Sequence, residues 1–129
     1  MDRLFLDANI LFSAAYRPNA GLIRFWRLRN VLLCSSRYAV EEATINLEEE
    51  SQRRRLARLT EKMQLFNEVP AELPSRWSLP DKDAPILLAA MSARATHLIT
   101  GDFRHFGRYF GKPLEGILVL SPAMYLKGR

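Results

Sequence analysis

At 129 residues, 48% of them hydrophobic, the chain has the size of a single domain, 1–129, with enough apolar content for one core. No apolar run approaches the roughly 20 residues of a membrane-spanning helix, and Met1-Asp2-Arg3 leads straight into an apolar run, unlike a signal peptide. A lone cysteine, Cys34, excludes an internal disulfide and fits a reducing cytoplasm, while a net charge of +5 permits nucleic-acid binding without establishing it.

The first element is Leu4-Phe5-Leu6, an apolar run that reads as a buried strand and delivers Asp7 at its carboxyl end. Ligands of open parallel sheets bind at that end, near the point where strand order reverses. A carboxylate there is costly unless something pairs with it. Asn9 to Ala15 follows as a short helix with Ile10, Leu11 and Ala14 on one side. Arg17-Pro18-Asn19-Ala20-Gly21 is a turn, and Leu22 to Leu28 reads as a helix carrying Phe25 and Trp26. Val31 to Cys34 is the second strand, its cysteine a core thiol. Ser35 or Ser36 caps the next helix, which begins near Arg37 and places Glu41 and Glu42 in its early turns.

From Asn46 to Phe66 the pattern is charged and helical. Glu49–Arg53 and Glu50–Arg54 are i,i+4 pairs, and Leu56, Leu59, Met63 and Phe66 supply an inward stripe. Val69 to Pro80, with Pro70, Pro74 and Pro80, is a connection with room for a short strand near Val69. Asp83 suits the N-cap of an Ala-rich helix running to about Ala95, with Pro85 in its first turn. The strand Leu98 to Thr100 leads into Gly101-Asp102, and Phe103 to Phe110 is a short helix or loop. After the turn Gly111-Lys112-Pro113, Ile117 to Leu120 is the last strand, and Ser121-Pro122 opens a terminal helix. Strands alternating with helices imply βαβ units and a parallel sheet.

This reading leaves four carboxylates at strand ends or helix starts: Asp7, Glu42 or Glu41, Asp83 and Asp102. Hard divalent cations such as Mg²⁺ and Mn²⁺ prefer oxygen ligands of this kind. Each acid alone has a plain structural explanation, Asp83 as a cap and Glu41 or Glu42 as a surface residue. Asp7 and Asp102 carry more weight, because each ends an apolar run. The sequence has no Ser-His-Asp spacing, P-loop or cysteine cluster, so those chemistries are set aside.

The run Asp7-Ala8-Asn9-Ile10-Leu11-Phe12-Ser13-Ala14 resembles the opening motif of PIN-domain nucleases. The resemblance continues through Ser36 and Glu42, through Asp81-Lys82-Asp83-Ala84-Pro85-Ile86-Leu87, and into Leu98-Ile99-Thr100-Gly101-Asp102-Phe103. Small PIN domains of this kind are similar to VapC toxins of toxin–antitoxin pairs. The resemblance implies a three-layer α/β/α fold with a central parallel sheet of four to five strands. It further implies Mg²⁺- or Mn²⁺-dependent cleavage of RNA by a metal-activated water, a homodimer, a cytoplasmic location and inhibition by a small antitoxin protein. Asp7, Glu42, Asp83 and Asp102 match the family acids, as catalytic residues and metal ligands. Asn9 and Thr100 match polar positions that orient the acids, and Ser13 assists. Many relatives carry a further acid beyond the last of these, where this chain has Phe103-Arg104-His105-Phe106, and His105 is read as a packed surface residue. Two rival readings are a receiver-like Mg²⁺-binding domain and a non-catalytic interaction module. The receiver would need paired acids after the first strand, where Asp7 stands alone.

Overall fold

A computed structural model of the protein describes residues 1–67 and 84–129. Their chain order is β1 (Asp2–Leu6), α1 (Ala8–Ala15), a 3₁₀ helix (Gly21–Arg27), β2 (Val31–Ser36), α2 (Arg37–Asn46), α3 (Glu50–Thr60) and β3 (Gln64–Phe66). The order continues with α4 (Ala84–Ser92), β4 (His97–Ile99), α5 (Phe103–Phe106), a 3₁₀ turn (Gly107–Tyr109), β5 (Pro113–Leu114), β6 (Ile117–Leu120) and α6 (Pro122–Leu126). The strands form one sheet in the order β3-β2-β1-β4-β6-β5. All neighbours pair in parallel except the β5–β6 hairpin at one edge.

β1 is central, and its Leu4-Phe5-Leu6 run is apolar on both faces. Leu4, Phe5 and Leu6 are wholly buried, as a strand covered by helices on either side requires. The chain builds outwards from β1 through β2 to β3, then returns to place β4 and β6 on its other flank. The reversal point therefore lies between β1 and β4, with Leu6 in register with Ile99. Cys34 is buried in β2, its thiol donating to the Leu4 carbonyl at 3.4 Å, and burial pushes that thiol up to about 11. It is a core residue. Among the described residues no helix is long and apolar enough to cross a membrane.

Several elements depart from the sequence-based expectation. The sheet has six strands rather than four to five, the additions being β3 and β5. The helix expected to run to Phe66 ends at Thr60, and Gln64–Phe66 instead pairs with Cys34–Ser36. Leu22 to Leu28 is a 3₁₀ helix, Gly21–Arg27, rather than an α-helix. The Ala-rich helix stops at Ser92, where Arg94 takes a left-handed φ of 55° that ends it before Ala95. Arg54 pairs with Glu50 at 2.9 Å as expected, but Arg53 donates to the Leu47 carbonyl at 2.7 Å. Glu49 sits at the N-cap of α3, its N–H donating to Gln52 Oε1 at 3.0 Å. The expected connection Val69 to Pro80, with Trp77, lies outside the described residues, as does Asp83.

The edge of the sheet opposite the carboxyl ends is closed by the C-terminal residues. The Tyr125 hydroxyl donates to Asp2 Oδ2 at 2.7 Å, the Arg129 guanidinium stacks 4.1 Å above the Tyr125 ring, and His97 meets that ring edge-on at 5.2 Å. Burial, and then the Asp2 hydrogen bond, pushes the Tyr125 hydroxyl up to about 12. The same bond lowers the Asp2 carboxyl from 3.8, and burial lowers His97 from 6.5. Each shift fixes a sign. Tyr125 contributes stability below pH 10 that is lost as pH rises towards about 12. Asp2 contributes above 3.8 and His97 above 6.5, and both contributions are lost as pH falls through the folded-state values. The thermal-midpoint advantage of wild type over Tyr125→Phe is expected to shrink between pH 10 and 12. A difference that stays constant over that interval would remove Tyr125 from the linkage.

Candidate active site

Asp7 follows β1 directly and caps α1. Its Oδ1 accepts from the Ala8 N–H at 2.7 Å, which satisfies one of the donors a helix start leaves open. Its Oδ2 accepts from the Thr100 hydroxyl at 2.7 Å and from Asn9 Nδ2 at 3.2 Å. Asp7 is 4% exposed, so these contacts replace most of the water a carboxylate would otherwise keep.

Thr100 ties β4 to β1. Wholly buried, it donates to Asp7 while its oxygen accepts from the Asp102 N–H at 3.1 Å and from Asn9 Nδ2 at 3.3 Å. Asn9 Oδ1 in turn accepts from the Gly101 N–H at 2.8 Å. A Cβ at Gly101 would lie 3.3 Å from that oxygen, so glycine permits the close approach. Asp102 caps α5, accepting from the His105 N–H at 3.1 Å through Oδ1, and from His105 Nδ1–H at 2.7 Å through Oδ2.

These groups open on a cavity of about 540 Å³ lined by Asp7, Ala8, Asn9, Phe12, Glu42, Ala43, Asn46, Gly101 and Asp102. Glu42 comes from α2, whose rotation is fixed at its start by Ser36 Oγ accepting from the Ala39 N–H at 3.0 Å. With Ala39 and Ala43 turned into the core, Glu42 lies on the cavity wall and Glu41 is exposed to solvent. Ser35, the other candidate cap, donates instead to the Leu6 carbonyl at 2.7 Å.

Asp7, Glu42 and Asp102 thus line one cavity, with Asn9 and Thr100 bonded to Asp7 and Thr100 also to the Asp102 N–H. Asp83 lies outside the described residues. Ser13 is exposed and lines a neighbouring groove with Phe12 and Tyr16. His105, read from sequence as packing, bonds directly to Asp102. The signal was the spacing: an N-cap aspartate with a donor three residues on is the pattern of a helix start. Phe12 and Asn46 were not singled out either, and both line the cavity. Trp26 is half-buried, with its Nε1–H donating to the Leu59 carbonyl at 3.0 Å.

The cavity's described polar lining consists of carboxylates and carboxamides, without thiol or imidazole, and that all-oxygen set fits Mg²⁺ or Mn²⁺ in kind. Among the described residues no three Asp, Glu, His or Cys side chains are grouped closely enough to hold an ion by themselves.

Residues 3–104 match a family model described as the PIN domain. No curated protein matches the chain. Solved structures with a similar fold include VapBC2 from Rickettsia felis bound to a DNA fragment from its promoter, at a TM-score of 0.70 and 15% identity, over 92% of this chain and 98% of the matched one. A toxin–antitoxin complex from Klebsiella pneumoniae aligns at 0.67 and 18% identity, over 89% of this chain and 95% of the matched one. VapBC-1 from nontypeable Haemophilus influenzae aligns at 0.56 and 19% identity, over 92% and 97%.

Proposed function

Because the chain belongs to the PIN-domain family, whose model spans residues 3–104, we propose that it is a metal-dependent endoribonuclease and the toxin of a toxin–antitoxin pair. The observation that carries the reading is the cavity at the strand-order reversal, where Asp7, Glu42 and Asp102 arrive from three separate elements. Asp7, Glu42 and Asp102, with Asp83, would hold a Mg²⁺ or Mn²⁺ ion. When bound, such an ion activates water and offsets charge on the leaving oxygen of a phosphodiester.

The chain's own residues do the rest. Thr100 and Asn9 hold Asp7 in one orientation, and His105 does the same for Asp102. Glu42 lines the same cavity from α2, and Phe12, on α1, adds an apolar part to the lining. The toxin assignment draws on the fold, which similar solved structures of toxin–antitoxin complexes share. It brings with it a small antitoxin protein as partner, a homodimer and a cytoplasmic site of action.

The test is incubation of the pure protein with labelled single-stranded RNA in Mn²⁺, Mg²⁺ or EDTA. Cleavage with either ion and none in EDTA is expected, with 5′-phosphate and 3′-hydroxyl ends. A 2′,3′-cyclic phosphate would mean attack by the RNA's own 2′-hydroxyl and would overturn the mechanism.

A further inference from the structure

The wall of the acidic cavity continues past the carboxylates. Phe12 belongs to that wall and also to a second groove of about 570 Å³ around the end of α1. Phe12, Ser13, Tyr16 and Arg17 line one side of this groove, and Ala20 and Leu22 belong to the segment that follows. The Phe12 and Tyr16 rings stand 5.4 Å apart, tilted by 42°. Tyr16 is nonetheless 54% exposed. Its backbone is held independently of the ring, because its carbonyl accepts from Gln52 Nε2 at 3.1 Å and the preceding Ala15 carbonyl from Arg55 Nε at 3.0 Å. Arg17 adds an exposed cation at the same end of the groove.

We propose that this groove is a nucleotide subsite for the RNA strand: the base beside the scissile phosphate stacks on the Tyr16–Phe12 pair, and a flanking phosphate sits against Arg17. The proposal rests on the ribonuclease reading of the acidic cavity and says which part of the strand lies next to it. Single-stranded nucleic acid is bound by aromatic faces that take bases and by cations that track phosphates, and both are present here. Phe12 supplies continuity, since a strand whose phosphate enters the acidic cavity must pass that ring to leave along α1. More than half of Tyr16 faces solvent, which leaves its ring open to a stacked base.

The experiment measures Michaelis parameters in Mn²⁺ on a labelled pool of randomised single-stranded RNA, with a thermal midpoint for each variant. Tyr16→Leu is expected to raise KM about tenfold with kcat unchanged, because a stacked base outside the reacting centre contributes uniform binding. Tyr16→Phe keeps the ring face and is expected to restore the wild-type KM. Arg17→Ala is expected to make the salt dependence of KM shallower by about one unit of logarithmic slope. An unchanged KM in Tyr16→Leu beside active wild type would overturn the subsite while the ribonuclease reading stands, and would leave the groove to a protein partner. A fall in kcat and thermal midpoint together would show damage to α1 and also overturn it. Wild type that cleaves no RNA in Mn²⁺ would remove the ribonuclease reading and the subsite with it.

Discussion

Asp7→Asn is expected to abolish RNA cleavage and to lower the thermal midpoint. The loss of activity follows from charge, since a neutral carboxamide gives a cation far less than a carboxylate does. Removing an outer-sphere partner alone typically costs about 10–100-fold, so losing the acid itself is expected to cost more. The effect on stability is less obvious. Clustered carboxylates repel, so charge alone predicts that the mutant is at least as stable as wild type. The hydrogen bonds reverse that sign. Asp7 Oδ1 faces the Ala8 N–H and Oδ2 faces two further donors, the Thr100 hydroxyl and Asn9 Nδ2. An asparagine has one oxygen and one NH₂, so whichever way it turns, a donor meets a donor. The Thr100 hydroxyl cannot relieve this by rotating, because its two lone pairs already accept from Asn9 and Asp102. An unsatisfied donor in a site that is 4% exposed costs about 1–3 kcal/mol, whereas repulsion across a cavity open to water is screened. Melting curves and Mn²⁺-dependent cleavage of the same preparations check both halves. Full activity in the mutant would remove Asp7 from the site.

Thr100→Val is expected to cost about 1–3 kcal/mol of stability and about 10–100-fold in activity, although no carboxylate is touched. Valine fills the same volume, so little cavity is created. The loss is of one hydroxyl that serves three partners: Asp7 loses a donor, and the Asp102 N–H and Asn9 Nδ2 lose an acceptor. Both aspartates lose an anchor at once, Asp7 at its carboxylate and Asp102 at its backbone N–H. Thr100→Ser keeps the hydroxyl and is expected to recover most of the activity. The measurement is the Mn²⁺ concentration giving half-maximal cleavage, read beside the thermal midpoint. A Thr100→Val protein that is less stable but needs no more Mn²⁺ would reduce Thr100 to a structural residue.

The parts of the site that the sequence made legible are those where a local pattern has one physical meaning. An apolar run ending in aspartate places Asp7 and Asp102 at strand ends, and parallel pairing of β1 with β4 puts both on one edge. Glu42 could not be separated from Glu41, because residues one apart on a helix differ by about 100° and only packing fixes which faces the cavity. Ser13 follows Asn9 by four residues, which suggests a shared face. That step is also about 6 Å along the axis, enough to carry it past the cavity into the next groove. β3 was hidden because Gln64-Leu65-Phe66 fits the tail of a helical stripe, and it is a strand only because Cys34–Ser36 offers it a partner. The β5–β6 hairpin turns on Glu115 and Gly116, with φ of 50° and 83°, and a glutamate is an unusual residue at the first of these positions.

The bonds that shape the cavity join residues far apart in the chain, 93 positions for Thr100 and Asp7. Asp7 and Asn9 are held by Thr100 and Gly101, and β1 leaves its place beside β2 half-finished until β4 docks. A ribosome that has exposed only the first ninety or so residues has released Asp7, Glu42 and Asp83, but neither Asp102 nor the Thr100 hydroxyl that orients Asp7. Pairings of such sequence separation form late, after the chain-closure entropy has been met. On the ribonuclease reading, a nascent chain that stops short of Thr100 and Asp102 is expected to leave the RNA being translated around it uncut.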